Sequence, residues 1–185
     1  WHDIYLQGSG KLTFRLQDTS SLWVLTSAST IPVGAWTHFL INRSSNITKL
    51  YINGVEEASS NTMNNSLYVG ATNAPAIGAR WFYNAEPPTA GIDFEGYITD
   101  LHVQTAAVST PTAVPTERAV VTSNTWLLTC HLPYFKDSST NSYSITASGG
   151  VSVSPKSPID NIVYDSTVHG GSVYFDGDED ITASN

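Results

Sequence analysis

The segment KLTFRL, residues 11–16, alternates without a break: Leu12, Phe14 and Leu16 fall on one side of an extended chain. The same two-residue period returns in SLWVLTS (21–27), AWTHFLINRS (35–44), TKLYING (48–54), SLYVGA (66–71) and FEGYITDLHV (94–103). In the third of these, Phe39 and Ile41 share one face while Trp36, His38 and Leu40 share the other. No stretch sustains a 3.6-residue apolar period. Apolar residues repeating at every second position are buried by laying sheet against sheet, so the predicted class is an all-β sandwich. Asn53-Gly54 is a two-residue hairpin signal between two such strands.

One strand breaks parity. Ile98 and Leu101 are three apart, whereas Leu101 and Val103 are two apart. If all three point inward, a β-bulge is expected near Thr99–Asp100. From Thr105 to Asn124 the text changes to TAAVSTPTAVPTERAVVTSN, which reads as an extended linker or surface strap. After it, TWLLTC, YSITAS, VSVSP, NIVYD and GSVYFDG are five further short strand candidates.

Composition excludes several partners. The net charge is -8 and only 13% of residues are charged. With no Lys/Arg cluster, nucleic acid is a poor partner. No apolar run approaches the ~20 residues of a membrane span, so no membrane insertion is expected. The first residue is Trp and no signal peptide is visible, so a fragment or processed product of something longer is expected. The single cysteine, Cys130, has no internal disulfide partner and sits in an apolar run, where a buried small hydrophobe is expected.

The segment IPVGAWTHFLINRSSNITKLYINGVEEASS (31–60) resembles the middle of a laminin-G-like domain of the concanavalin A-like lectin/glucanase superfamily. The residues that carry the likeness are Gly34, Trp36, His38, Leu50, Tyr51, Asn53 and Gly54, followed by LYVGA (67–71) and FEGYITDLHV (94–103). WLLTCHLPYFKDSS (126–139) and GGSVYFDGDEDIT (170–182) resemble the opening of the same kind of domain, with the aromatic-Asp-Gly signature at Phe175, Asp176 and Gly177. The combination is similar to tandem repeats in structural proteins of phages that infect marine cyanobacteria. The resemblance implies an antiparallel jelly-roll sandwich. In this frame residues 1–104 form the C-terminal two-thirds of one sandwich, 105–125 a Pro/Thr/Ser-rich linker or strap, and 126–185 the opening strands of a second repeat or strands completing a sandwich. Three geometries stay open: a window on a tandem array, one permuted sandwich, or a tail that completes a neighbour's sandwich.

Retaining glucanases of the superfamily carry a Glu-x-Asp-x-x-Glu strand that holds two carboxylates roughly 5–5.5 Å apart. No such string occurs, and "DFE" (Asp93, Glu95) lacks the third acid. The five histidines show no zinc-ligand spacing. The chain is therefore expected not to be an enzyme, and no cofactor is required.

Two binding sites are candidates. GARWFYNAEPPTAG (78–91) holds three consecutive aromatics that cannot all face one core. Trp81 and Tyr83 offer flat faces to a pyranose, with Asn84 and Glu86 as hydrogen-bonding neighbours. The turn after Phe175 supplies Asp176, Asp178 and Asp180 as oxygen ligands for Ca²⁺. Three N-glycosylation strings begin at Asn42, Asn46 and Asn64 and matter only on a eukaryotic secretory route.

Two functions follow. The first is a non-catalytic structural and adhesive module of a virion fibre or extracellular appendage, with other copies of the same protein and a cell-surface glycan as partners. The alternative is a free-standing or enzyme-attached carbohydrate-binding, lectin-like domain. Both place the chain on a virion surface or outside a cell.

Overall fold

Alternation becomes strands wherever its apolar side finds a partner sheet. The computed structural model describes residues 2–17, 22–62, 76–79, 94–159, 172–177 and 180–184. These residues hold fourteen strands and no helix, so the protein is all-β. The chain divides into two compact units: unit 1 is Trp1–Thr72 with Ala107–Pro115, and unit 2 is Asn73–Ala106 with Thr116–Asn185.

Unit 1 is built from two three-stranded antiparallel sheets. One is β1 (His2–Leu6), β2 (Lys11–Gln17) and β3 (Leu22–Thr30); the other is β4 (Phe39–Ser44), β5 (Ile47–Ile52) and β6 (Val55–Ser60). Leu12, Phe14 and Leu16 are all buried, as their alternation predicts, and Leu25 joins them from β3. Ile41 and Ala58 of the second sheet pack against Phe14, Leu16 and Leu25 as well as against Leu12, Leu50 and Ile52. The two sheets thus close face to face around one core, each fully buried Leu or Ile stabilising the unit by about 1.5–3 kcal/mol. On the opposite face of the first sheet Arg15 forks onto the Asp3 carboxylate, with its Nε 2.8 Å from Oδ1, and lies over the Tyr5 ring.

The β5–β6 hairpin closes as expected through Asn53-Gly54, with Ile52 paired to Val55 and both turn residues left-handed (φ 48° and 79°). The Asn53 side chain also accepts from the His38 backbone N–H at 2.9 Å, and the Asn53 N–H donates to the His38 carbonyl at 2.8 Å. His38 therefore serves the hairpin through its backbone. Its ring is half-buried and its pKa is lowered by that burial.

Unit 2 takes strands from both sides of the strap. β7 (Ala76–Ile77) pairs with β14 (Ile181–Ser184), which also pairs with β11 (Ser144–Ala147). β8 (Glu95–Ile98) pairs with β13 (Ser172–Asp176), which also pairs with β12 (Ser152–Ser154). β9 (Leu101–Gln104) pairs with β10 (Thr125–Thr129). The strands of the tail thus pair with strands of their own chain. Cys130, Val173, Phe175 and Ile181 form the core, joined by Ile77, Phe94, Ile98 and Phe135. Gly78 (φ 90°) lies flat against the Phe175 ring, where any side chain would overlap it.

The parity break at Thr99–Asp100 is a corner and not a bulge. Asp100 is left-handed (φ 49°), β8 ends before it on β13, and β9 begins after it on β10. Val103 is 38% exposed, so the premise that all three apolar residues point inward does not hold. Asp100 fixes the corner by accepting from the Ala119 N–H and from Arg118 Nη1, each at 2.9 Å.

Candidate functional site

The second sheet of unit 1 has its apolar side, Ile41, Leu50 and Ile52, turned to the core. Its other side follows by alternation: Leu40, Asn42 and Ser44 on β4 stand opposite Tyr51, Lys49 and Ile47 on β5. Such a face ordinarily meets water. Here Tyr51 is 4% and Asn42 9% exposed, because residues 107–115 lie across it as a strap.

One side chain clasps the strap. Asn42 Nδ2 donates to the Val108 carbonyl at 3.1 Å, and the Val108 N–H donates to Asn42 Oδ1 at 2.9 Å. A primary amide presents a donor and an acceptor at backbone spacing, so Asn42 satisfies a strap residue as a neighbouring strand would. The first glycosylation string is therefore committed: its amide nitrogen is hydrogen-bonded and nearly inaccessible. Further along, the strap's Thr112 carbonyl lies where a Cβ on residue 54 would sit, so Gly54 serves both the turn and the strap. A short turn, closed by the Ala113 N–H on the Thr110 carbonyl at 3.0 Å, contains Pro111.

Between strap and sheet lies a solvent-open groove of about 380 Å³. Tyr51, Pro111 and Val108 give it apolar surface; Ser44, Ser109 and Lys49 give it polar surface. The Lys49 ammonium is 2.7 Å from Glu56 Oε2, and both side chains are about two-fifths exposed. That hydrogen bond raises the lysine pKa above its ordinary value, so the ammonium stays charged through the neutral range.

Cys130, Asp137 and His102 of unit 2 are tied into the fold. Cys130 is 3% exposed and burial pushes its thiol up to about 12, so it is the buried small hydrophobe expected from its sequence context. Asp137 is buried; its Oδ1 accepts from the Leu128 and Ser139 N–H groups and its Oδ2 from Ser139 Oγ and the Tyr143 N–H. Burial alone would raise this carboxyl, but those four hydrogen bonds together hold it below the usual carboxylate range. His102 Nε2 lies 2.9 Å from Thr125 Oγ1, and burial lowers its pKa.

Trp81, Tyr83, Asn84, Glu86 and Asp178 lie outside the described residues. Asp176 is exposed at the end of β13, opposite Glu95, while Asp180 is largely buried and its backbone carbonyl accepts from the Ser148 N–H at 2.9 Å. Among the described residues no three His, Cys, Asp or Glu side chains gather to hold a metal ion. The strap groove was not singled out from the sequence. Its signals were there: polar Asn42 and Ser44 at outward positions of an apolar strand, and a Lys49/Glu56 pair flanking the Asn-Gly turn.

Comparison with known proteins bears on the whole arrangement. No curated protein matches the chain. Among solved structures, an S-layer domain-containing protein from Clostridium thermocellum ATCC 27405 is 27% identical, with a TM-score of 0.38 over 55% of this chain and 48% of that one. This chain thus spans about half the length of that structure. Residues 2–114 match the Laminin_G_3 family, a stretch that holds both sheets of unit 1, the Trp36–His38 strand entrance, the Asn53-Gly54 hairpin and most of the strap. An all-β chain matched over more than half its length, through the motifs that shape its sandwich, belongs to the Laminin_G_3 family of the concanavalin A-like lectin/glucanases superfamily.

Proposed function

We propose that this chain is a non-catalytic structural and adhesive module of a virion fibre or other extracellular appendage, contacting surface glycans and packing against further copies of itself. The observation that carries the reading is the state of the chemistry-bearing side chains in unit 2. Cys130 is buried as a thiol, Asp137 is saturated with hydrogen bonds, and Asp100 and Arg118 brace a corner. Groups committed in this way act as scaffold, and the Thr125 hydroxyl beside His102 is buried and accepts from the Thr122 N–H, which supports the non-catalytic reading. Membership in the concanavalin A-like lectin/glucanases superfamily supports the glycan contact.

The experiment is binding of the full chain to purified surface polysaccharide, compared with Trp81→Ala. Retention of the parent chain and its loss in the variant supports an adhesive module acting through the 78–91 segment. No retention of the parent removes the adhesive half of the reading. Release of reducing ends from the polysaccharide removes the non-catalytic half.

A further inference from the structure

We infer that β1 is an association edge: two copies of this chain pair their β1 strands antiparallel about a two-fold axis at Ile4. The inference rests on the reading above that the module packs against further copies of itself, and it assigns that packing to one strand. Among the described residues β1 pairs with β2 alone, so its other side is a sheet edge. The Gln7 N–H donates to the Lys11 carbonyl, which continues the β1–β2 ladder one step beyond Leu6 and Leu12. Hydrogen-bonded pairs alternate along an antiparallel ladder, so residues 3, 5 and 7 bond toward β2. The N–H and C=O groups of His2, Ile4 and Leu6 therefore point to the open edge. Ile4 and Leu6 stand opposite Phe14 and Leu12, on the core side of the sheet. Yet they are 44% and 42% exposed, because the second sheet packs over β3, on the far side of the first sheet from β1. Edges of this kind are ordinarily blunted by Lys, Pro or a bulge. HDIYL has neither residue, and its register on β2 runs without a shift. A backbone edge beside a stripe of uncovered apolar side chains is what an added strand completes.

The occupant is a second copy, and charge sets the register. A symmetric pairing centred on Asp3 sets two carboxylates face to face. One centred on Tyr5 brings together two rings that each carry an Arg15 guanidinium, 4.8 Å from the ring centre. Centring on Ile4 instead sets each Asp3 opposite Tyr5 of the second copy, beside that copy's Arg15, so opposite charges meet at two symmetric places. It also forms three hydrogen-bonded pairs, Ile4 with Ile4 and His2 with Leu6 twice, each exchanging two bonds. On the apolar side Phe14, Ile4 and their symmetry mates become one continuous row. This local neutrality matters because each copy carries a net charge of -8, which opposes association elsewhere on the surface. The strand is also held before it pairs: the Arg15 fork on Asp3 ties β1 to β2, so little ordering cost is left.

The test is sedimentation equilibrium of the full chain. Its mass is expected to double as concentration rises through the micromolar range, as suits a contact of one strand pair. Ile4→Lys sets two ammonium groups at the two-fold axis and is expected to weaken association at least tenfold. Because Ile4 is already exposed, this variant is expected to keep the parent's urea midpoint at concentrations where both are monomers. Ile4→Cys is expected to form a disulfide-linked dimer on mild oxidation, since facing Cα atoms of a hydrogen-bonded pair lie about 5.5 Å apart, within disulfide reach. Cys130 is buried, and Val33→Cys, at a fully exposed position off the edge, is expected to stay monomeric. If the lysine variant's midpoint falls, the two cysteine variants decide alone. A dimer that Ile4→Lys leaves intact, or Val33→Cys cross-linking as fast as Ile4→Cys, overturns the inference and leaves self-packing to another surface. A parent that is monomeric at every concentration overturns the inference together with the self-packing part of the broader reading. The adhesive part is scored separately, by retention on polysaccharide.

Discussion

Asn42 and Val108 stand 66 positions apart in the chain and exchange two hydrogen bonds, one in each direction. The side chain of one residue thereby does for the strap what a whole strand would do for an edge. The consequence is a β-sheet face that is covered without being extended, and a groove where the cover stops short.

Removing the clasp should loosen the strap and leave the sandwich standing. Asn42→Ala is expected to destabilise unit 1 by about 2 kcal/mol, two hydrogen bonds with one strap N–H left unpaired. Asn42→Asp, which keeps the acceptor and loses the donor, should fall between. Urea denaturation measures the loss, and hydrogen exchange at Val108 should accelerate while that at Leu50 does not. Equal protection of Val108 in parent and variant would show that the clasp does not hold the strap.

Two glycines separate backbone strain from strap contact. Gly34 and Gly54 have nearly the same φ, 76° and 79°, but a side chain at Gly34 meets open space and one at Gly54 overlaps the Thr112 carbonyl. Gly34→Ala is expected to cost about 1 kcal/mol, the ordinary left-handed penalty. Gly54→Ala adds displacement of the strap and should cost about 2–3 kcal/mol. Equal midpoints for the two variants would mean that the strap does not press on the hairpin.

Asp137 is expected to be the most costly single carboxylate to neutralise. Asp137→Asn turns one acceptor oxygen into a donor facing Ser139 Oγ and the Tyr143 N–H, and should destabilise unit 2 by about 3 kcal/mol. The pH dependence follows from the direction of its shift. The folded carboxyl titrates below the unfolded value of ~3.9, so its stabilisation is complete above that pH and is lost as pH falls through the folded pKa. Stability measured from pH 5 to pH 2 should fall more steeply in the parent than in Asp137→Asn.

His131 should make itself felt at milder acidity. Burial lowers its pKa, opposed by Asp100, by a backbone hydrogen bond at Thr129 and by Asp137, and reinforced by Arg118. The unfolded imidazole takes up its proton near ~6.5 while the folded one remains neutral, so stability declines as pH falls from that value toward the folded pKa. His38 and His102 are lowered by burial as well and act in the same sense. His131→Gln is expected to reduce the loss between pH 7.5 and 5.5, read from denaturant midpoints at the two pH values. An unchanged loss would assign it to the other two histidines.

Much of this was legible in local text. The inward faces of β2 and β5 follow from alternation alone, since Leu12, Phe14, Leu16, Leu50 and Ile52 can reach one side only by taking every second position. Asn53-Gly54 announces its turn because few residues tolerate two successive left-handed conformations. The burial of Cys130 follows from its apolar neighbours. Thr99–Asp100 shows where local reading stops. A parity change has the same spelling whether a strand bulges or turns a corner, and here the deciding contacts come from Arg118 and Ala119, nearly twenty positions away.

By itself, then, the sequence determined that this protein is all-β, that Leu12, Phe14 and Leu16 share one face, and where the Asn53-Gly54 hairpin turns. Those are consequences of a two-residue period and of glycine's freedom, both written within a few neighbouring positions. Tertiary structure alone decided that β8 pairs with β13 and β9 with β10, that 107–115 belongs with unit 1 while 116–125 belongs with unit 2, and that Asn42 spends its amide on Val108. The physical reason is common to all three. Backbone N–H and C=O groups are the same at nearly every residue, so they bind strongly but carry no address. Which strand or strap they meet is settled by the packing of side chains far away in the chain.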